Sequence, residues 1–394
     1  DFLFSENYIR AKNICLKMMD RLDLYSTFGR LDREVYFNKL VIWSLEKIEK
    51  SKPELLVAAE APHDHAKYVI YEICKYLEIP IYKFLNWTVG PILQLQNMLT
   101  DEIIYPSKQS ETKIDKILNK KIIDYVDEIY KKKEGYEIWY MKKYKKDSGL
   151  IKRLFKIIFK DWKTNYIDIR HNTWMFVTGK YNPINPFRLN FITRSWIQFF
   201  RSKNLLKNYK KNIKTFSYDY DYVYFPLHYE PERTTNPDGG IFHDQFIALC
   251  NLRKLVPENI KILIKEHQSQ FFLSKGSRGR SPLFYNLVNN IKNVKLVGAN
   301  ENSLKLINRS LFTATITGTA AVESSILGKV CVIFGSSWFD GIPNTIKWSQ
   351  GINFNNIINY KIKDVKAVKK FLLEKKEKST IIGCQNGSHY RANI

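Results

Sequence analysis

Apolar residues fall into two kinds of pattern along this chain. Between residues 216 and 355, short and nearly unbroken apolar runs alternate with segments whose apolar positions recur every three or four residues. Tyr222–Leu227, Ile260–Lys265, Val294–Val297, Leu311–Ile316 and Val330–Phe334 read as strands. Asp244–Leu255, Leu283–Ile291, Ser303–Asn308 and Ala320–Leu327 read as the helices between them, and Asp364–Glu377 as a last helix. Strands without polar alternation are buried on both faces, which is the signature of a parallel sheet covered by helices. The regular alternation predicts a doubly wound α/β domain, whose ligands bind beyond the carboxyl ends of the strands.

The first hundred residues are less regular. Val41–Lys50 has the spacing of an amphipathic helix. Glu54–Ala59, bounded by Pro53 and Pro62, reads as a short buried strand, His65–Leu77 as a helix and Ile79–Phe84 as a second strand. Strand, helix and strand at this spacing predict a βαβ unit and a parallel sheet. Residues 101–215 are rich in Lys and Tyr and mostly helical in pattern. Within them Ile151–Lys163 sets Ile151, Leu154, Phe155, Ile158 and Trp162 on one face and five cations around the other. Such a helix either lies on an anionic membrane or packs its apolar stripe on its own domain. At 394 residues the chain is long enough for two domains. They are placed at 1–215, with the basic helical insert at about 101–215, and at 216–394, with the last helix returning to the first domain. Asp1 is expected to follow a processed or truncated start, and no signal-peptide pattern follows it.

An apolar fraction of 44% excludes a disordered chain, and no run is long enough to span a bilayer. The five cysteines are scattered without CxxC spacing, which argues against a disulfide framework or a zinc site. Cys74, Cys250 and Cys331 sit in apolar runs and are expected to be buried thiols of a reducing compartment. The net charge of +24 calls for an acidic partner. Residues 101–214 hold 27 Lys and Arg against 12 Asp and Glu, a regional +15 that carries more than half the excess. That concentration favours an anionic membrane surface over nucleic acid.

Four constellations carry candidate chemistry. The segment after Tyr222–Leu227 gathers His228, Glu230, Glu232 and Arg233, then Asp238-Gly239-Gly240 and Asp244, in a loop entering a helix. Asp244 also has the position of an N-cap. Lys265 and His267 end the next strand, where a cation and an imidazole can meet a phosphate. Thr317-Gly318-Thr319-Ala320, with Glu323 and Ser324 following, is a small-residue turn between a strand and a helix start that suits an anion. Glu60, His63 and His65 lie beyond the first strand, where an acid/base or acceptor-binding role is expected of them. No metal is required by these patterns. The phosphate-loop, dinucleotide, nucleophile-elbow and zinc-protease motifs are absent.

The run FPLHYEPERTT, then DGGIFHDQ, IKEHQS and TGTAAVESSILGKVCVIFG, resembles bacterial capsule and lipopolysaccharide glycosyltransferases of the GT-B fold. These include the retaining β-Kdo transferases, which use CMP-Kdo. The resemblance covers about residues 220–340 and is loose over the first hundred. It implies two Rossmann-like domains facing a cleft, with the donor on the C-terminal domain and the acceptor on the N-terminal one. His267 then looks like a histidine that meets the donor phosphate, with Gln268 where proline is usual. Thr317, Gly318 and Thr319 look like the phosphate turn, Glu323 like a ribose-binding carboxylate, and Glu230 or Glu232 like the carboxylate beside the anomeric carbon. The substrate implied is a nucleotide-sugar, CMP-linked by preference, with a surface-polysaccharide or lipid-linked glycan as acceptor and no further cofactor. The expected location is cytoplasmic, on the inner face of the cytoplasmic membrane. A GT-B-like nucleotide-sugar epimerase is the alternative, and a basic nucleic-acid-binding protein a lesser one.

Overall fold

The computed structural model describes residues 1–22, 29–105, 113–132, 191–230, 235–272 and 276–383. Expectations for Ile151–Lys163, Glu232 and Arg233 therefore lie outside the described residues.

The C-terminal half is built on β5 (Tyr222–Pro226), β6 (Lys261–Lys265), β7 (Val294–Val297), β8 (Thr313–Thr315), β9 (Cys331–Ile333) and β10 (Thr345–Lys347). Their spatial order is β10-β9-β8-β5-β6-β7, and every pairing is parallel. The chain builds outward from β5 to β7, then crosses back and builds from β8 to β10. The crossing leaves a crevice between β5 and β8 at their carboxyl ends, the place where a doubly wound sheet receives its ligand.

One face of this sheet packs on α5 (Phe191–Asn212), α6 (Gln245–Leu255) and α7 (Leu283–Asn289) through Tyr209, Leu249, Leu252 and Tyr285. The other face packs on α8 (Ser303–Arg309), α9 (Ala320–Ile326) and α10 (Val365–Ser379). Tyr222, Tyr224, Leu263 and Val297 on the strands meet Leu306, Val322, Val368 and Leu372 there.

The N-terminal half corrects the expectation of a second parallel, Rossmann-like sheet. β1 (Leu56–Ala58) does pair parallel with β2 (Ile81–Asn86), across α3 (His65–Tyr76). However, β3 (Ile92–Asn97) runs antiparallel to β2, to β4 (Ile103–Ile104) and to β11 (Thr380–Ile382). The physical reason is loop length: Trp87–Pro91 is too short for a parallel crossover and can only turn the chain back. β1 is also an edge strand with Leu55 and Val57 exposed, not a buried one. Helices α1 (Glu6–Leu22), α2 (Arg30–Ser51) and α3 form a layer around Met18, Phe37, Val41, Tyr68 and Ile73.

The halves are joined through one continuous core. Trp87, after β2, stacks against Trp338 of the C-terminal half with ring centroids 4.8 Å apart. Helix α4 (Lys113–Lys132) buries Leu118, Ile122, Val126 and Ile129 in the same core. α10 lies against α4, where Lys376 pairs with Asp115 and Lys369 with Asp127. β11 then extends the N-terminal sheet. Cys15, Cys74 and Cys331 are buried, whereas Cys250, on the outer side of α6, is only half-buried.

Candidate functional site

The β5–β8 crevice is organised by His228. β5 ends at Pro226, and the chain passes His228 and Glu230 into the loop that leads to α6. Imidazole Nε2 accepts the Thr317 backbone N–H at 3.3 Å and lies 3.2 Å from Thr315 Oγ1. A backbone N–H only donates, so Nε2 is the acceptor and the proton of the neutral ring sits on Nδ1. Thr315 Oγ1 in turn accepts from the Gly318 N–H at 3.2 Å. Two N–H groups of the turn after β8 are thus committed to holding its shape. A Cβ on Gly318 would stand 2.7 Å from Thr315 Oγ1 and 3.3 Å from His228 Cε1, so only glycine permits this approach.

Beneath that contact is a buried polar frame. The His228 N–H donates to Gln245 Oε1 at 2.8 Å, and Gln245 Nε2 donates to Glu230 Oε1 at 2.8 Å. Thr235 Oγ1 donates to the same oxygen. The Glu230 main chain is held at both its N–H and its carbonyl by Gln270. Next to it, fully buried Glu266 accepts from Arg280 Nε at 3.0 Å, from Tyr285 OH at 2.8 Å and from the His267 N–H. Arg280 also donates to the His228 carbonyl at 3.1 Å, tying the ends of β5 and β6 together. Both oxygens of this buried carboxylate thus have a hydrogen-bond donor, which offsets the cost of removing it from water.

His267 stands at the mouth of this frame with its ring against Tyr229. Its Nδ1 accepts from the Ser269 N–H at 3.2 Å, which places the proton of the neutral imidazole on Nε2 as a donor. Gln268 Nε2 donates to the Ala299 carbonyl and anchors the loop.

Lys265 departs from its expected role at the surface of the site. Its buried ammonium donates to the Glu301 carbonyl at 2.8 Å and to Ser303 Oγ, so it clamps the loop before α8. Burial pushes its pKa down to about 8. Glu323, on α9, is buried nearby, and loss of solvent pushes its carboxyl up to about 7 despite the opposing effect of Lys265. Thr319 Oγ1 lies 3.5 Å from Glu323 Oε1. Ala320 opens α9, and Ser324 faces the core beside Cys331 with no exposure.

The remaining expected residues sit elsewhere. Asp244 is the N-cap of α6, its carboxylate accepting from the Phe246 N–H at 3.0 Å. His65 is buried within the helical layer, with its ring against Tyr36 and its Nε2 3.4 Å from that hydroxyl, so it is not a surface ligand. Glu60 and His63 pair with each other at 3.3 Å beyond edge strand β1. Lys83 of β2 also crosses from the N-terminal half, its Nζ lying 2.7 Å from Asp238 Oδ1, as does Lys17, whose Nζ donates to the His243 carbonyl. A lysine on the inward face of an alternating strand was the sequence signal for Lys83. Glu266 carried a weaker signal, its place directly after a buried strand, and Arg280 carried none. Among the described residues, no group of His, Cys, Asp and Glu is arranged to hold a metal ion. None of their helices is long and apolar enough to cross a membrane.

No family model and no curated protein matches this sequence. Among solved structures it is similar to Thermosulfurimonas dismutans KpsC, beta Kdo 2,7 transferase, at 13% identity and a TM-score of 0.29, over 52% of this chain and 57% of that one. It is also similar to the UDP-GlcNAc 2-epimerase from Methanocaldococcus jannaschii, at 12% identity and a TM-score of 0.27, over 93% of this chain and 82% of that one. The S. aureus MnaA–UDP co-structure is similar at 11% identity and a TM-score of 0.25, over 97% and 92%. The chain spans little more than half the length of the two Kdo transferases it is similar to. At these identities no residue role is transferred.

Proposed function

We propose that this chain is a GT-B-like enzyme that uses a nucleotide-sugar, moving the sugar to a surface-polysaccharide or lipid-linked glycan acceptor. The observation that carries the reading is the β5–β8 crevice: a turn fixed by His228, backed by buried Glu323 and faced by the N-terminal half. Glycosyl transfer expels a nucleotide phosphate through an oxocarbenium-like state, so the site must stabilise a leaving anion. Because the Thr317 and Gly318 N–H groups hold the turn, we assign that task to the Thr317 and Thr319 hydroxyls, the start of α9 and the His267 Nε2–H. Glu323 receives the ribose hydroxyls. Glu230 is buried, and its Oε1 already accepts two donors, which suits a fixed electrostatic wall. Of the two carboxylates that the sequence resemblance offers beside the anomeric carbon, we assign that role to Glu232, acting with retention. By the sequence resemblance the donor is CMP-linked, the sugar Kdo or a related ulosonic acid. The basic segment 101–214 would hold the enzyme on the anionic inner face of the cytoplasmic membrane.

A thermal-shift screen with CMP, UDP and GDP tests the reading, since a ligand bound only to the folded chain raises the melting temperature by mass action. One of the three should do so. If none does, and the chain instead binds RNA or DNA with a steep salt dependence, the reading fails in favour of a nucleic-acid partner. Incubation with the matching sugar donor alone separates the two enzyme classes. A transferase gives only slow hydrolysis, while an epimerase converts the donor.

A further inference from the structure

The polar row in the middle of the N-terminal sheet is out of keeping with its surroundings. Lys83 shares its sheet face with Ile81 and Leu85, which belong to two different apolar cores. Its cross-strand partner is Gln96, with Gln94 beside it, and both are buried. The Lys83 side chain is only 5% exposed, and its ammonium donates to Asp238, 13% exposed, from the opposite half of the molecule. An ion pair buried between two halves is a weak source of stability, because desolvation consumes most of the attraction. Its placement is therefore informative.

Asp238 lies against the candidate site. Its carbonyl accepts from the Ser336 N–H, and a Cβ on Gly335 would stand 2.7 Å from both that carbonyl oxygen and Thr317 Cγ2. The Asp238 loop thus meets the turn after β8 through Gly335, and directly where Gly239 approaches Ile316. One buried acceptor, Gln96 Oε1, lies on the residue across the strand pair from Lys83, and another, Asn236 Oδ1, stands two residues before Asp238 in the chain; neither has a hydrogen-bond partner among the described residues. An unmet buried acceptor is costly, so a ligand hydroxyl placed there would be rewarded.

We propose that Lys83 is the anion-binding cation of the N-terminal half and that Asp238 is its resident counterion, exchanged for a phosphate oxygen when a nucleotide enters the crevice. In the ligand-free chain Asp238 keeps the buried ammonium from standing uncompensated. On binding, the ligand phosphate takes over the ammonium, Asp238 turns to solvent, and ligand hydroxyls donate to Gln96 and Asn236. This proposal rests on the nucleotide reading of the site, and the test below separates the two.

The experiment is calorimetric titration of CMP, UDP and GDP into the full chain and into Asp238→Asn, Lys83→Gln and the double variant. Asp238→Asn removes the competitor, and nucleotide affinity should rise at least tenfold. The double variant strands no charge, so it should fold as the parent does, and it should lose that gain and fall at least tenfold below the parent. If Asp238→Asn binds no more tightly than the parent, or the double variant binds as tightly as Asp238→Asn, the exchange is refuted while the nucleotide reading stands. If the parent binds none of the three nucleotides, both readings fall together.

Discussion

The C-terminal sheet runs every strand in parallel between two helical layers, whereas the N-terminal sheet has one parallel and three antiparallel pairings and turns a polar row toward the other half. Each half nevertheless contains the same small device, a buried glutamate gripped by an arginine and a tyrosine. In the C-terminal half Glu266 holds Arg280 and Tyr285, and the Arg280 side chain is 5% exposed. In the N-terminal half Glu72 holds Arg10 and Tyr68, with the Arg10 side chain 38% exposed. The difference in solvent access should set the energetic value of the pair, and it marks which half is built as a rigid frame.

The largest effect is expected from Arg280→Ala. It leaves the Glu266 carboxylate buried with a vacant side and should cost roughly 3–5 kcal/mol in urea unfolding. Arg280→Ala should also loosen the His228 loop and weaken nucleotide binding. A loss below about 1 kcal/mol would break the comparison at its strongest point.

The next effect is a pH dependence. Glu323 titrates at about 7 in the fold, above its ordinary 4.5. Below 4.5 both folded and unfolded chains carry that proton. Between 4.5 and 7 only the folded chain keeps it, so stability falls as pH rises across this window, by up to roughly 3 kcal/mol from this group. Glu323→Gln should remove that part of the slope. An unchanged stability profile in the variant would show that the carboxyl is not titrating there.

Arg10→Ala should cost less, on the order of 1 kcal/mol, because water reaches the Arg10 side chain and screens the pair. A cost equal to that of Arg280→Ala would erase the contrast between the halves. Glu60→Ala, at the half-exposed end of β1, should shift stability by less than about 0.5 kcal/mol. A large loss of turnover with unchanged stability would return Glu60 to the site as an acceptor-side group.

The same contrast explains what could be read from the sequence. Strands such as IKILIK and VCVIF are buried on both faces, so burial leaves an unbroken apolar run that fixes element type and nearly its ends. The βαβα alternation then leads to the doubly wound sheet and to His228 and Thr317–Thr319 at its crevice. The N-terminal sheet hides its topology because its strand direction is decided by the short Trp87–Pro91 connection and by the return of β11 from the far end of the chain. ILQLQN does alternate, yet its inward residues include Gln94 and Gln96, and a polar row on a buried face carries no hydrophobic signal. His65 hides its burial for the opposite reason, since a polar type in a polar-looking segment is covered by the first two helices. Lys265 has the right position for a phosphate ligand, but the loop before α8 takes its ammonium, a tertiary contact that no local pattern records.

We propose that a nucleotide binds where β5 and β8 part, against the turn that His228 holds. Calorimetric titration of the parent chain and of Gly318→Ala with the nucleotide that the screen selects tests it most directly, because the added methyl would crowd Thr315 and His228 at that turn. Saturable binding to the parent at one site and at least a tenfold loss of affinity in Gly318→Ala are expected, with the fold retained. Equal affinity in the two chains would contradict it.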